Sequence, residues 1–336
     1  MSAAMSDVPP TEPAPQSEEA TAPPKPYRIL CLDGGGAKGF YTLGVLREIE
    51  GLVKQPLCER FDLIFGTSTG AIIAALLALG YDVEAVHQLY KAHVPTVMRS
   101  RSPADKSRAL QKLADEIFGD TKFDAVKTGI GIVTTKWVVE KPMVFKAHIG
   151  QAHGRAGTFA PGFGCTISDA VQASCSAYPF FLRKLVHTAA GDDVELIDGG
   201  YCANNPTLYA LADAVGPLQL ARKDIRLVSL GVGVYPDPKP RFKLGDPINS
   251  MKMILAKNLM PVQLLQKTLE INTQSMDQLR AILFKDVPTI RISDVFEQPE
   301  MATDLLEHDL VKLNILRQRG SESFASREQA LREFLL

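Results

Sequence analysis

One serine of this chain stands in a pattern that can activate its hydroxyl for nucleophilic attack. Ser68 lies at the centre of Gly66-Thr67-Ser68-Thr69-Gly70, which has the form G-x-S-x-G. An apolar run that reads as a strand precedes the pattern and an apolar helix follows it, so a sharp turn would expose the serine at the helix N-terminus. This context favours acyl transfer through a covalent serine intermediate over the alternative, a plain Gly-Ser turn that caps a helix.

A nucleophilic serine needs a base, and the usual base is a histidine held by a carboxylate. In α/β-hydrolases the chain order is serine, acid, histidine, and the histidine that follows Asp198 is His308, in the C-terminal region. The remaining histidines precede Asp198: His87, His93, His148, His153 and His187. A triad would therefore need His308 or an unusual chain order.

A carboxylate offers the other route to a base. Asp198 begins the segment Asp198-Gly199-Gly200 and follows a predicted strand at Val194 to Ile197. Partial burial would adjust the pKa of Asp198 for direct proton transfer, and Gly199 and Gly200 would let the carboxylate approach another loop closely. The alternative is an ordinary turn acid before two glycines.

A third segment could bind an anion. Residues 33–39 read Asp-Gly-Gly-Gly-Ala-Lys-Gly, between a predicted strand and a predicted helix. Backbone N–H groups at such a helix start attract negative charge and would suit the oxyanion of ester cleavage. Gly34, Gly36 and Gly39 also match the dinucleotide pattern G-x-G-x-x-G, but the acid expected after the second strand is missing and no P-loop Gly-Lys-Ser/Thr follows.

The elements that must hold these segments alternate between strands and helices. The sequence pattern predicts an α/β fold with a mainly parallel central sheet, flanked by helices on both faces, with sites beyond the carboxyl ends of the strands. Ile225 to Leu230 is the last clear strand. The other predicted strands are Tyr27 to Leu32, Phe61 to Phe65, Gly129 to Val139, Met143 to His148 and Val194 to Ile197.

The composition of the chain indicates where its domain begins and which partners and compartment to expect. Residues 1–26 hold seven prolines and lack a signal-peptide pattern, which predicts a disordered tail. Residues 27–336 would form one catalytic domain with a helical C-terminal region at about 247–336. The net charge of −1 gives no reason to expect duplex nucleic acid as a partner. No apolar run is long enough for a membrane span, so we expect a cytoplasmic protein with peripheral contact at the inner membrane.

Taken together and in order, the three segments resemble the patatin-like phospholipases. The stretch Ala173 to Phe180 resembles the small-residue segment that precedes a proline in that family, and Asn204-Asn205-Pro206 resembles the segment after its aspartate. The resemblance extends from Tyr27 to Gly233.

The resemblance implies a Ser–Asp dyad, with Ser68 as nucleophile and Asp198 as base. Gly35 and Gly36 would then supply the oxyanion donors, with Lys38 close by. The family more often has arginine in place of Lys38, and lysine keeps the charge but loses the bidentate fork. The implied substrate is a glycerophospholipid or a related acyl ester, and the implied mechanism requires no metal and no cofactor.

The compact length and helical C-terminal region are also similar to bacterial patatin-like effectors of cyclic-nucleotide antiphage signalling. That resemblance implies a switch in which a cyclic nucleotide binds, the enzyme either assembles into a homo-oligomer or opens, and membrane phospholipid is degraded. Two basic groups are candidates for phosphate contacts: Arg99, Arg101, Lys106 and Arg108, or Lys239, Arg241 and Lys243. Two alternatives to the phospholipase stay open at this point, a soluble esterase or thioesterase and a nucleotide-binding scaffold without hydrolysis.

Overall fold

The structure is a computed structural model that describes residues 25–236 and 248–336. Within these ranges one sheet has eight strands in the order β5-β6-β3-β2-β1-β7-β8, and β4 pairs with β3. The strands are β1 (Tyr27–Leu32), β2 (Leu63–Thr67), β3 (Gly129–Lys136), β4 (Lys141–Lys146), β5 (Lys184–His187), β6 (Asp193–Asp198), β7 (Ile225–Leu230) and β8 (Thr289–Ile292). Strands β3, β2, β1, β7 and β8 run parallel, which confirms the mainly parallel sheet.

The helices lie between and after these strands. They are α1 (Gly39–Val53), α2 (Leu57–Arg60), α3 (Thr69–Leu79), α4 (Val83–Arg99), α5 (Pro103–Phe118), α6 (Ile167–Ser174), α7 (Gly200–Ala203), α8 (Thr207–Val215), α9 (Ile248–Leu283), α10 (Leu310–Ala325) and α11 (Glu328–Leu335). Among the described residues, no helix combines the length and apolar character needed to cross a bilayer.

Alternating side chains of β1 show why both faces of the sheet are covered. Successive residues of a strand point to opposite faces. Leu30 and Leu32 pack into one apolar cluster with α1, α3, α4 and α5. Ile29 and Cys31 belong to a second cluster, which includes α8. The two clusters confirm helices on both faces, and burial on both sides explains why β1 reads as an unbroken apolar run.

Local signals fix the ends of the helices that surround the site. The side chains of Asp82 and Ser102 cap α4 and α5 by accepting hydrogen bonds from the backbone N–H groups of Ala85 (2.7 Å) and Asp105 (3.1 Å). Helix α3 ends at Leu79, and its C-cap residue Gly80 has φ 94°, a left-handed conformation that glycine adopts without a steric penalty. Every residue of α3 from Thr69 to Ala78 is buried, so its alanine-rich sequence, apolar after Thr69, matches its place inside the fold.

Two strands depart from the sequence-based expectations. Ile225–Leu230 is not the last strand, since β8 follows it inside the C-terminal region, and β5 was not predicted at all. Helices α9, α10 and α11 make up most of the rest of that region, as expected. Residues 1–24 of the predicted tail lie outside the described residues, as do the basic candidates Lys239, Arg241 and Lys243.

Candidate active site

Two strands meet end to end along one side of β3. Strand β2 pairs parallel with β3, and its last rung joins Thr67 to Val133. Strand β6 arrives from the opposite direction, pairs antiparallel with β3, and ends where Asp198 faces Thr134. Val133 and Thr134 are consecutive, so the carboxyl ends of β2 and β6 face each other. The residue after β2 is therefore delivered to the residue that ends β6.

The turn after β2 holds Ser68 in a conformation that non-glycine residues seldom adopt. Ser68 has φ 53° and ψ −126° and stands at the N-cap of α3, as expected for a strained strand-to-helix turn that exposes a hydroxyl. Its backbone N–H donates to the hydroxyl oxygen of Ser174 at 2.8 Å, and that hydroxyl donates to the carbonyl of Val133 at 2.6 Å. The chain of hydrogen bonds ties the strained turn to β3.

The glycines on either side of Ser68 allow the turn to close. A Cβ on Gly66 would lie 2.3 Å from the carbonyl oxygen of Gly70, and a Cβ on Gly70 would lie 2.3 Å from the carbonyl oxygen of Leu32. Both contacts are with backbone atoms, which cannot move aside as a flexible side chain can. Both motif glycines are thus required by close approach of the backbone, not by an unusual φ.

Asp198 contacts the hydroxyl of Ser68 directly. Ser68 Oγ donates to Asp198 Oδ2 at 2.7 Å, and the N–H of Gly200 donates to Asp198 Oδ1 at 2.7 Å. The Asp198 side chain is buried, and burial raises its pKa to about 7, although the hydrogen bonds from Gly200 and Ser68 oppose that shift. A carboxyl with a pKa near neutrality can both accept and return a proton at physiological pH.

The segment Asp198-Gly199-Gly200 is packed as tightly as the turn around Ser68. A Cβ on Gly199 would lie 2.1 Å from the carbonyl oxygen of Val133, which leaves no room for a larger residue between β6 and β3. The hydroxyl of Thr135 donates to the backbone carbonyl of Asp198 at 3.0 Å. These contacts fix the backbone of Asp198 on the sheet, so its carboxylate has little freedom to leave Ser68.

All six histidines lie within the described residues, and none of them hydrogen-bonds to Ser68 or Asp198. His308 is exposed, and its Nδ1 lies 3.2 Å from the carbonyl oxygen of Leu306. Four others lie beside carboxylates away from Ser68: His87, His93, His153 and His187. The structure therefore brings an aspartate to Ser68 and leaves the histidine-based triad without a histidine in reach.

The glycine loop after β1 lines a cleft beside Ser68. Gly35 and Gly36 line this cleft together with Ser68, and among the described residues their N–H groups have no hydrogen-bond acceptor. The next N–H, of Ala37, donates to the carbonyl oxygen of Leu305 at 3.1 Å. Gly36 has φ 58° and passes so close to Leu305 that a Cβ would lie 2.4 Å from its carbonyl oxygen. Two N–H groups without an acceptor thus belong to residues that line the cleft beside Ser68.

The ammonium group of Lys38 lies elsewhere. It is 1% exposed and forms an ion pair with Glu270 of α9, with Nζ 3.1 Å from Oε1. Lys38 lines a second cavity of about 390 Å³, and Gly35, Leu269 and Leu305 line both this cavity and the cleft at Ser68. The Lys38 side chain is therefore directed to α9, and the expectation that it lies close to the oxyanion donors stays a prediction.

An arginine that was not among the predicted site residues supports the glycine loop. Arg291 of β8 donates to both carboxylate oxygens of Asp33, at 3.0 Å and 2.5 Å, and to the hydroxyl oxygen of Ser229 at 2.8 Å. Asp33 is the first residue of the loop, and its side chain is 2% exposed. No local pattern could reveal this contact, because Arg291 lies in β8, and a strand of four residues leaves too weak a pattern to be predicted.

The cleft at Ser68 has about 710 Å³ of empty space and is mostly apolar. Helices α4 and α5, the segment after α6, helix α9 and the residues before α10 form its wall. Its apolar lining is Ile72, Val94, Val97, Met98, Leu110, Leu113, Ala177, Phe180, Phe181, Leu265, Leu269, Leu305 and Leu306. Such a lining suits a hydrocarbon chain. The C-terminal region thus contributes directly to the cleft.

Among the described residues, no three side chains of His, Cys, Asp or Glu cluster in a way that could hold a metal ion.

The basic residues at the end of α4 and the start of α5 do not gather around one pocket. Lys106 is buried and donates to the carbonyl oxygen of Met98 at 2.7 Å, whereas Arg99, Arg101 and Arg108 are exposed. Arg108 pairs with Asp105.

Comparison with known proteins gives the family. The family model described as "Patatin-like phospholipase" matches residues 30–211, more than half of the chain. A cUMP-AMP-activated phospholipase of Escherichia coli is 67% identical over 309 residues, which cover 92% of this chain and 94% of that protein. A cGAMP-activated phospholipase of Vibrio cholerae is 27% identical over 234 residues, which cover 61% of this chain and 63% of that protein.

Among solved structures, VipD from Legionella pneumophila is 13% identical with a TM-score of 0.46, covering 93% of this chain and 67% of that chain. The family model and the Escherichia coli relative, together with the Ser68–Asp198 contact, identify the chain as a member of the patatin-like phospholipase family.

Proposed function

We propose that this enzyme is a phospholipase that cleaves acyl esters of membrane phospholipids through Ser68 and Asp198 and is activated by a cyclic nucleotide. The observation that carries the chemical part is the 2.7 Å hydrogen bond between the Ser68 hydroxyl and the Asp198 carboxylate at the wall of an apolar cleft. The 67% identical Escherichia coli relative, named as a cUMP-AMP-activated phospholipase, supports the activation.

In the first half of the reaction, Ser68 Oγ attacks the acyl carbonyl carbon while Asp198 accepts the hydroxyl proton. The carbonyl oxygen becomes an oxyanion, and the free N–H groups of Gly35 and Gly36 donate hydrogen bonds to it. The tetrahedral intermediate collapses, the bond to the lysophospholipid oxygen breaks, and the proton on Asp198 passes to that oxygen. The acyl group is then esterified to Ser68.

The second half repeats these roles with water. Asp198 accepts a proton from a water molecule as its oxygen attacks the acyl-enzyme, and Gly35 and Gly36 again stabilise the oxyanion. The bond to Ser68 breaks, the proton returns to Ser68 Oγ, and a fatty acid leaves. A pKa near 7 suits Asp198 to both directions of proton transfer, because neither its charged nor its neutral form is strongly preferred at neutral pH.

The apolar cleft is the reason to favour phospholipid over a small soluble ester. Burying a hydrocarbon chain contributes about 0.8 kcal/mol for each CH₂ removed from water, so the long apolar wall would favour a long acyl chain. We further propose that the enzyme works in the cytoplasm at the inner membrane, as part of antiphage signalling, and that it forms a homo-oligomer. The names of the Escherichia coli and Vibrio cholerae relatives support the signalling role.

The test measures fatty-acid release from phospholipid vesicles by wild-type protein, by Ser68→Ala and by Asp198→Asn, each with no ligand, cyclic UMP–AMP or cyclic GMP–AMP. We expect release by the wild type to rise with one cyclic nucleotide and to fall by about a thousandfold or more in either variant. Ser323→Ala is the matched control, because it removes another buried hydroxyl, on α10.

Three outcomes would contradict parts of the proposal. Full activity in Asp198→Asn would remove the dyad. Cleavage of short soluble esters without any release from vesicles would make the enzyme a soluble esterase. Binding of a cyclic nucleotide with no hydrolysis that depends on Ser68 would leave a nucleotide-binding scaffold.

A further inference from the structure

The turn between β3 and β4 is apolar and exposed. Its sequence is Trp137-Val138-Val139-Glu140, whereas turns of this kind usually carry Gly, Pro, Asn or Asp. Val138 is 77% exposed, Val139 is 53% exposed and Trp137 is 39% exposed. Contiguous apolar surface of this sort marks a place where a protein binds a partner or a membrane.

A second exposed segment lies against this turn. The ring of Tyr178 lies 5.2 Å from that of Trp137, centroid to centroid, and the guanidinium carbon of Arg183 lies 5.1 Å from the Trp137 ring and 5.8 Å from the Tyr178 ring. Leu182, next to Arg183 in sequence, is exposed as well. We name this surface the aromatic rim, and its residues are Trp137, Val138, Val139, Tyr178 and Leu182.

The aromatic rim is continuous with the cleft. In the segment from residue 177 to 182, Ala177, Phe180 and Phe181 line the cleft at Ser68, whereas Tyr178 and Leu182 are exposed. On β3, Thr134 pairs with Asp198, and Trp137 comes three residues later, roughly 10 Å along an extended strand. The rim therefore lies at the edge of the cleft, within the reach of one phospholipid.

The charges around the rim favour an anionic partner. Lys136 and Lys141 face each other at the base of the turn, and among the described residues neither forms an ion pair. Like charges directly opposite each other destabilise a hairpin, so an external anion would stabilise this pair. The acidic groups of the surface are Glu140 in the turn and Glu195, which pairs with Arg183 at 3.0 Å.

We propose that the aromatic rim docks on the surface of a membrane that contains anionic phospholipid. Tryptophan and tyrosine favour the boundary between headgroups and acyl chains, the exposed valines would enter the acyl region, and Lys136 and Lys141 would meet the phosphates. The occupant is a bilayer and not a second protein, because the adjoining cleft must receive its lipid from that side. This inference rests on the proposed phospholipase function.

Trp137 is the single tryptophan of the sequence, so its fluorescence reports on the rim alone. The test titrates the Ser68→Ala variant, which leaves the vesicles intact, with vesicles of phosphatidylcholine alone or mixed with phosphatidylglycerol, with and without cyclic UMP–AMP. We expect a blue shift of the emission and quenching by brominated lipid, both stronger with phosphatidylglycerol. Unchanged emission under every condition, with wild-type protein still hydrolysing the same vesicles, would overturn the docking proposal.

A pair of variants tests the rim by mutation. Val138→Asp adds a charge to the rim, and Val311→Asp is the control, because Val311 on α10 is 69% exposed. We expect Val138→Asp to lower vesicle binding about tenfold and to lower the ratio of vesicle to soluble-ester hydrolysis similarly, with no change of that ratio in Val311→Asp. The double variant Lys136→Glu/Lys141→Glu should lose the preference for phosphatidylglycerol.

The outcomes separate this inference from the proposed function. Vesicle binding through the rim with no phospholipid hydrolysis by the wild type would contradict the function and leave the docking. Equal losses in Val138→Asp and Val311→Asp would overturn the docking, since binding would then depend on general surface apolarity. A Trp137 emission shift that follows protein concentration without vesicles would show a second copy of the chain on the rim, and would also overturn it.

Discussion

The guanidinium group of Arg291 contacts both carboxylate oxygens of Asp33 across 258 residues of sequence. Strand β8 thereby holds the first residue of the glycine loop, and the loop that carries the free N–H groups of Gly35 and Gly36 begins from a fixed point. Strand β7 lies between β1 and β8 in the sheet, so the arginine reaches across one strand. The C-terminal region is therefore part of the site and not an appendage to it.

Loss of Arg291 should destabilise the whole fold. Arg291→Met would leave the buried Asp33 carboxylate without its cation, which costs about 3 to 5 kcal/mol. We expect a urea unfolding midpoint well below that of the wild type, and a smaller loss in the double variant Asp33→Asn/Arg291→Met, where no unpaired buried charge remains. A loss in the double variant as large as the sum of the single losses would contradict a direct coupling between the two residues.

The turn around Ser68 should not tolerate a single methyl group. Gly70→Ala puts a Cβ within 2.3 Å of the Leu32 carbonyl oxygen, so we expect a loss of about 3 kcal/mol or more in the free energy of unfolding. Gly51→Ala is the control, because a Cβ there meets nothing within 4 Å. In α1 that substitution should stabilise the protein by about 0.5 to 1 kcal/mol. Equal stability of the two variants would contradict the close packing of the turn.

Activity should depend on pH through Asp198. The carboxyl must be deprotonated to accept the Ser68 proton, and burial raises its pKa to about 7. We expect kcat/KM for a soluble ester to rise between pH 5 and pH 8 with a midpoint close to 7, since this parameter follows the ionisation of the free enzyme. A midpoint near pH 4, the ordinary range of an aspartate, would show that the carboxylate is solvated in the working enzyme.

Because Asp198 is buried, the charged form of its carboxyl should lower the free energy of unfolding. The folded-state pKa of about 7 lies above the unfolded value of about 3.9, so the folded protein binds the proton more tightly and loses stability as pH rises from about 4 to 7. Asp198→Asn cannot ionise, so it should not show this decrease in the free energy of unfolding, which is at most about 4 kcal/mol in the wild type.

Thermal unfolding at pH 4 and pH 8 would measure this effect. We expect Asp198→Asn to gain stability relative to the wild type at pH 8 and to gain little at pH 4. Asp120→Asn is the control, because Asp120 is exposed after α5 and its replacement should change stability little at either pH. A gain for Asp198→Asn that is equal at both pH values would contradict the assignment to ionisation.

The sequence predicted the buried strands best. The bounds of β1 and β7 agree with the predicted runs, because both strands are buried on two faces and stand out as unbroken apolar stretches. Strand β2 lies two residues later than predicted, at Leu63–Thr67, since Gly66 and Thr67 read as a turn although they pair with Ile132 and Val133. The pattern of residue types could not show that a turn motif begins inside the sheet.

Short strands and contacts between distant segments could not be predicted from the sequence. Strands β5 and β8 have four residues each, too few for a periodic pattern to stand out from the surrounding loops. The resemblance of the three motifs, in order, to the patatin-like phospholipases implied that Ser68 and Asp198 act together. The ion pair of Lys38 with Glu270 and that of Asp33 with Arg291 were not predictable, because each depends on how the C-terminal region packs against the glycine loop.

Strand β3 sets the distance between the two catalytic residues, and this restricts where the chain can change in length. Thr67 and Asp198 are aligned on its consecutive residues Val133 and Thr134. Deleting one residue of β3 at this point would shift one partner by about 3.3 Å and turn the following side chains to the opposite face. Deletions and insertions between the two rungs are therefore excluded, whereas the turn at residues 137–140 can lengthen without moving Ser68 from Asp198.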